Sequence, residues 1–190
     1  MRITSGDLKG RVLKLSSKFS LRPSSEKLRE ALFSTLGSFV ELEKSNFLDL
    51  FAGSGAVGIE AISRGADTAT FVEQEKDLVE NLKSNLDILG IKDRAVVKKG
   101  RAEKAVSDLN SAYRIIFADP PYRYQAAENL LDSIIENNLV TEESIFIFES
   151  ESSKTIEIKN NFHSYSPVLL KEKIYGDSKL TYIGFKANDK

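Results

Sequence analysis

Two clusters of residues could carry chemistry. The first runs from Asn46 to Ala61, where the apolar stretch Phe47 to Phe51 is broken only by Asp49 and leads into glycines at 53, 55 and 58. A strand, a tight glycine turn and a helix start, in that order, bring backbone N–H groups and the positive end of a helix dipole up to a ligand. The spacing is G-x-G-x-x-G, with Glu73 twenty positions after Gly53, as in dinucleotide-binding loops. Asp49 argues against that ligand. A carboxylate beside the loop repels a pyrophosphate but attracts a molecule carrying an ammonium and a sulfonium group, which points to S-adenosylmethionine. Glu73 suits either ligand.

The second cluster is Asp119-Pro-Pro-Tyr122. Two prolines have no N–H, so the carbonyls of Asp119 and Pro120 are poorly placed for helix pairing and can face a ligand. Asp119 adds an anionic acceptor and Tyr122 an aromatic plate. Together they suit a planar base with an exocyclic NH₂, its ring on Tyr122 and its N–H bonds aimed at the acceptors. An aryl amine is a weak nucleophile because its lone pair is delocalised into the ring. Accepting both N–H bonds favours pyramidal nitrogen and frees the lone pair for attack on a sulfonium methyl, while Asp119 orients the amine and receives or relays a proton. Positioning and matched electrostatics would supply most of the acceleration, and no metal is required. A rigid turn after a strand is the plainer alternative for these four residues.

The elements that must position these clusters alternate from Asn46 onward. Strands are predicted at 46–51, 68–73, 94–99, 113–119 and 144–149, with helices at 55–64, 75–89, 101–109 and 125–137 between them. Gly65 and Gly90 end the first two of those helices. The continuous apolar centre of 113–119 suggests burial on both faces. Alternating runs at 164–175 and 179–186 around Gly176-Asp177 predict an antiparallel hairpin. The expected fold class is α/β, a Rossmann-like doubly wound seven-stranded sheet, mostly parallel, with an antiparallel C-terminal hairpin. The crevice should open where the first and fourth of these strands diverge, which would set Asp119 beside the Gly53–Gly55 loop.

Ahead of that sheet, residues 1–15 predict a small hairpin turning around Ser5–Gly10, with Lys9 and Arg11 at the turn. A helix capped by Ser24 or Ser25 follows, with Leu28, Ala31, Leu32, Thr35, Leu36 and Phe39 as its apolar stripe. Lys27 and Arg29 fall off that stripe and are expected to face solvent. Residues 1–30 hold eight Lys/Arg against three Asp/Glu, and residues 31–190 hold nineteen against twenty-five. A basic arm on an acidic body suggests a polyanionic partner reached through the arm, or simply a solvated charged face. Two domains are expected: a basic appendage over 1–40 and the catalytic domain over 41–190.

Composition bounds the rest. The 190 residues contain no cysteine, which excludes disulfides and thiolate metal sites and suggests a reducing cytosol. A single histidine, His163, argues against histidine-based metal sites and His-dependent triads and is expected at the surface. No apolar run is long enough for a membrane span, and Met1-Arg-Ile-Thr-Ser-Gly6 lacks the apolar core of a signal peptide.

Phe47-Leu-Asp-Leu-Phe-Ala-Gly-Ser-Gly55 with Asp119-Pro-Pro-Tyr122 resembles the class I S-adenosylmethionine-dependent amino-methyltransferases. The whole chain resembles the RsmD family of bacterial small-subunit ribosomal RNA guanine-N2 methyltransferases, through Arg2-Ile3, Lys9-Gly-Arg11, Leu21-Arg-Pro23, Lys27-Leu-Arg-Glu-Ala-Leu-Phe33, Phe148-Glu-Ser-Glu151 and Lys173-Ile-Tyr-Gly-Asp177. That resemblance implies methylation of a guanine in 16S rRNA, on the small ribosomal subunit or its assembly intermediate, by a cytoplasmic monomer. The base would have to leave its stack to enter the pocket. The resemblance also implies that Asp49, Ala52, Gly53, Ser54 and Gly55 hold the methionine part of the cofactor. By the same token Glu73 and Gln74 would lie at the ribose, Asp119, Pro120, Pro121 and Tyr122 would hold the guanine, and Arg2, Lys9, Arg11, Arg22, Lys27 and Arg29 would contact phosphates. One departure stands out. Such enzymes often place an acidic or amide acceptor for the adenine amine after the third strand, where this chain has Gly100-Arg101-Ala102. Arginine cannot accept that bond, which leaves backbone groups near Arg101 and Ala102. Glu149 and Glu151 are expected at the rim of the crevice, in possible substrate contact. Three other functions remain compatible with parts of the pattern: a DNA adenine-N6 methyltransferase, a nicotinamide-dependent oxidoreductase, and an RNA-binding assembly factor without turnover.

Overall fold

A computed structural model describes residues 1–15, 26–121, 127–158, 162 and 164–188. Its elements are α1 (Glu26–Leu36), β1 (Asn46–Leu50), α2 (Ala56–Ser63), β2 (Thr68–Glu73), α3 (Lys76–Leu89), β3 (Ala95–Lys99), α4 (Ala102–Ser107), β4 (Ile115–Ala118), α5 (Ala127–Glu136), β5 (Ile145–Glu151), β6 (Tyr165–Tyr175) and β7 (Ser178–Ala187). The seven strands form one mixed sheet in the order β3-β2-β1-β4-β5-β7-β6. Pairs β1–β2, β2–β3 and β4–β5 are parallel, and β5–β7 and β6–β7 are antiparallel. The expected α/β class is therefore observed, hairpin included. Among the described residues, no helix is long and apolar enough to cross a membrane.

The chain divides into two compact units, Met1–Ala102 and Glu103–Lys190. In the first, β1 and β2 bury Phe47, Leu48, Leu50, Phe71 and Val72 almost completely. Gly90 ends α3 in the left-handed conformation at φ 72°, and its N–H returns to the Asp87 carbonyl, as its position in the sequence predicts. In the second unit every residue of β4 is buried, in keeping with a parallel strand covered on both faces.

The predicted N-terminal hairpin is a narrow one, with a single antiparallel bridge between Arg2 and Val12. The N–H groups of Ile3 and Leu13 donate to the carbonyls of Arg11 and Met1. Its turn is docked on the C-terminal end of α2. Asp7 N–H donates to the Ser63 carbonyl at 2.8 Å, Leu8 N–H donates to Ser63 Oγ at 2.9 Å, and Ser63 Oγ donates to the Ser5 carbonyl at 2.6 Å. A Cβ on Gly6 would stand 1.7 Å from the Ser63 carbonyl oxygen, so only glycine allows this approach. Further along, Asn85 of α3 clamps Lys14, accepting from its N–H and donating to its carbonyl.

Two expectations for α1 need correction. Arg29 does not face solvent; it is completely buried. Its Nε donates to Glu60 Oε2 at 3.1 Å and another guanidinium nitrogen donates to the Arg2 carbonyl at 2.6 Å, so it pins the N-terminal strand to α2 and is closed to phosphate. Phe39 lies beyond the end of α1 and is exposed, whereas Phe33 is buried, which moves the apolar stripe toward Arg29. The predicted cap at Ser24 or Ser25 lies outside the described residues.

Glu60 is the centre of this junction. It is fully buried, accepts from Arg29, from the Thr4 N–H and hydroxyl, and from Arg64 at 2.8 Å. Burial pushes its carboxyl upward, but the bonds from Thr4, Arg64 and Arg29 outweigh that and hold it below the usual carboxylate range. Its charge therefore stabilises the fold above the ordinary value of 4.5, and that contribution is lost as pH falls through the lower folded value. Glu60→Gln leaves Arg29 buried without its counter-ion and should cost about 3–5 kcal/mol in urea unfolding at neutral pH. The same substitution should remove part of the acid-induced loss of stability measured below pH 4.5. A variant as stable as the parent at both pH values would show that the pair contributes nothing.

Candidate active site

The loop after β1 is built by backbone conformations that few residues adopt. Phe51, Gly53 and Gly55 have φ of 65°, 54° and 77°, in the left-handed region that favours glycine. The turn is closed by Gly55 N–H donating to the Ala52 carbonyl at 2.7 Å. Gly55 is also the residue that precedes α2, so no side chain there can cap the helix. Asp49 does it instead. From the middle of β1 its Oδ2 accepts the Gly58 N–H at 2.9 Å, which places a carboxylate against the open first turn of α2. A Cβ on Gly58 would stand 2.3 Å from the Phe71 ring. The third glycine of the motif therefore serves the close packing of α2 on β2.

Asp49 is 2% exposed. Burial raises its pKa from 3.8 to about 7; the Gly58 hydrogen bond pulls it down, and the charge of Glu73 pushes it up again. Glu73, at the end of β2, is buried too. Its Oε2 accepts the Gly53 N–H at 2.8 Å and its Oε1 accepts the Glu75 N–H at 2.9 Å. One carboxylate thus ties the glycine turn to the turn before α3. A carboxylate oxygen has two acceptor sites, so each oxygen of Glu73 can accept once more.

Asp49, Ala52, Gly53, Ser54, Gly55 and Glu73 are therefore gathered by one loop. Ala52 and Ser54 are buried, and Gly53 is half-buried. Gln74 is exposed, the Gly100 N–H donates to the Glu73 carbonyl at 2.9 Å, Arg101 is exposed and Ala102 is buried. In the second unit, Asp119 is half-buried after β4, Pro120 is buried and Pro121 is exposed, while Tyr122 lies outside the described residues. Of the six basic residues expected at phosphates, Arg2, Lys9, Arg11 and Lys27 are exposed, Arg29 is buried, and Arg22 lies outside the described residues, as does His163.

Sequence reasoning left Glu60 unremarked. The available signal is one carboxylate inside a helix, Ala56–Ser63, whose other residues up to Ile62 are apolar or glycine, a placement that requires a buried partner. Glu149 is expected from the sequence at the rim of the crevice, without a definite role. It is 6% exposed, its Oε1 accepts from Ser178 Oγ at 3.0 Å, and its Oε2 is buried without a partner among the described residues.

Residues 1–184 match the family described as Conserved hypothetical protein 95. The ribosomal RNA small subunit methyltransferase D of Haemophilus influenzae is 32% identical over 179 residues, covering 93% of this chain and 89% of that one. The protein of the same name from Buchnera aphidicola is 34% identical over 163 residues, covering 86% and 84%. Among solved structures, that of yhhF from Escherichia coli, named for methyl transfer, superimposes with a TM-score of 0.83 at 30% identity over 99% of both chains. The chain belongs to this family of Rossmann-like methyltransferases, which includes ribosomal RNA small subunit methyltransferase D.

Proposed function

We propose that the protein transfers a methyl group from S-adenosylmethionine to the exocyclic N2 amine of a guanine in 16S rRNA, within the small ribosomal subunit or its assembly intermediate. The observation that carries this reading is the carboxylate-lined glycine loop. Asp49 and Glu73 are buried acceptors held on backbone N–H groups, a setting that disfavours a pyrophosphate and fits a cation with ribose hydroxyls. The names of the relatives supply the nucleic acid.

When bound, S-adenosylmethionine supplies an electrophilic methyl group on a positively charged sulfur. Asp49 balances positive charge near the loop, Ala52 to Gly55 offer backbone groups to the methionine part, and Glu73 accepts from the ribose hydroxyls beside Gln74. Backbone groups near Arg101 and Ala102 read the adenine. On the acceptor side, the carboxylate of Asp119 and the carbonyls of Asp119 and Pro120 accept from the guanine amine and direct its lone pair, and the Asp119 carboxylate receives or relays the proton that the amine loses as the N–CH₃ bond forms. Pro121 keeps the turn rigid and Tyr122 stacks on the base. Arg2, Lys9, Arg11 and Lys27 on the 1–40 segment, with Arg22, contact RNA phosphates.

Incubation of undermethylated 30S subunits, free 16S rRNA and duplex DNA with labelled cofactor, followed by nucleoside identification, tests the acceptor. N2-methylguanosine in 30S or 16S RNA is the expected product; N6-methyladenine in DNA would refute the reading. Asp119→Ala should lower kcat/KM by about 10²–10⁴-fold while the thermal midpoint changes little.

Asp49 makes cofactor binding depend on pH. Its folded value of about 7 lies above the ordinary 3.8, so the protonated acid favours folding. That contribution is complete below 3.8 and gone above about 7. A cationic ligand favours the ionised form, so affinity for S-adenosylmethionine should rise across pH 7 and then level off. Asp49→Asn should bind roughly tenfold or more weakly, with a flat pH profile by calorimetry, yet be more stable than the parent without ligand at pH 8 by roughly 1–3 kcal/mol. For RNA, Lys9→Ala and Lys27→Ala should each reduce the slope of log affinity against log salt by about 1, whereas a change in Arg29 should act through stability.

A further inference from the structure

Strands β4 and β5 run parallel, and their last paired residues are Ala118 and Phe148. The next residues along the two strands are Asp119 and Glu149. β4 ends at Ala118, so Asp119 lies just beyond the ladder, and the two acidic residues follow one paired position at the carboxyl ends of neighbouring strands, which run about 4.8 Å apart. Glu149 is held in place. Its backbone lies in the ladder opposite Leu180 of β7, and Ser178 Oγ donates to its Oε1 at 3.0 Å. Its Oε2 is buried and has no donor among the described residues. Buried polar atoms are almost always paired, so a buried acceptor without a donor is suited to a ligand's N–H. Burial pushes the Glu149 carboxyl above its usual range while the Ser178 bond lowers it, and a donor arriving at Oε2 would favour the ionised form further.

The edge of guanine that carries the N2 amine also carries N1–H, so it shows two neighbouring donors. Adenine and 2-aminopurine present an acceptor at N1. Resting on the guanine reading given above, we propose that Glu149 is a specificity-determining residue that accepts the N1–H of the target base through Oε2, while Asp119 accepts from its N2 amine. Base entry must uncover Oε2. Two adjacent acceptors match guanine alone among the RNA bases, because cytosine, uracil and adenine each lack this pair of donors around a methylatable amine.

The test uses 16S rRNA ligated to carry either guanine or 2-aminopurine at the modified position, with the full-length protein. 2-Aminopurine keeps the N2 amine and loses N1–H. The parent should lose on the order of 100-fold in kcat/KM on the analogue. In Glu149→Gln the amide can donate to the analogue's N1, so the guanine preference should shrink to about threefold or less, with cofactor affinity and thermal midpoint unchanged. An equal preference in parent and variant overturns the proposal. Should Glu149→Gln fold poorly, Ser178→Ala, which releases Oε1 and lets the carboxylate turn, should cut the preference about tenfold, and an unaltered preference there is equally fatal. If the parent methylates no guanine in 30S subunits or 16S RNA, the functional reading fails and this proposal with it.

Discussion

The hydrogen bond from Gly58 N–H to the buried carboxylate of Asp49 is the contact around which the first unit is arranged. A helix that begins on glycine has no side chain to satisfy its first N–H groups, and α2 begins after Gly55. An acceptor must come from elsewhere, and β1 supplies it from below. That solution works only if α2 lies close to the sheet, which the missing Cβ of Gly58 against Phe71 permits. The turn between strand and helix is then so short that Phe51, Gly53 and Gly55 take left-handed conformations. Glu73 fixes the other side by accepting the Gly53 N–H. The loop is thus held by its own closing bond from Gly55 to Ala52 and by two acidic side chains at its edges.

The same helix carries the N-terminal segment. Glu60 and Ser63 of α2, with Asn85 of α3, bind Thr4, Ser5, Leu8 and Lys14. Arg29 joins the two by bonding Glu60 and the Arg2 carbonyl. A segment proposed to touch RNA is therefore anchored on the helix that starts at the proposed cofactor loop. Its exposed cations, Arg2, Lys9, Arg11 and Lys27, project from an ordered base, which lowers the conformational entropy lost when they engage phosphates.

Much of this was legible in the sequence because it depends on local rules. Gly90 stops α3 and the apolar run at 115–118 marks a buried parallel strand; both follow from backbone sterics and residue type, and both are observed. Arg29 departs from the expected solvent-facing position because its environment is set by Glu60, 31 positions away. Helical spacing places Arg29 beside the apolar stripe and says nothing of a buried counter-ion. The apolar run around it marks Asp49 as unusual, but its hold on Gly58 depends on how closely α2 approaches β1, which no one-dimensional pattern contains. The unpaired oxygen of Glu149 is likewise a property of three strands together.

Four acidic residues lie in or just after strands: Asp49 within β1, Glu73 at the end of β2, Asp119 after β4 and Glu149 within β5. Removing a carboxylate from water is unfavourable unless donors or positive charge replace the water. In the first unit, backbone N–H groups replace part of it, yet Asp49 still has a pKa near 7, so the compensation is incomplete. In the second, Glu149 keeps one oxygen with no donor among the described residues. Each unit is therefore left short of positive charge or of hydrogen-bond donors. A pyrophosphate, rich in acceptors and negative charge, would worsen that deficit, despite the G-x-G-x-x-G spacing. A sulfonium amino acid and the donor edge of a purine would relieve it. The electrostatic deficit, more than the glycine pattern, separates methyl transfer from dinucleotide chemistry on this fold.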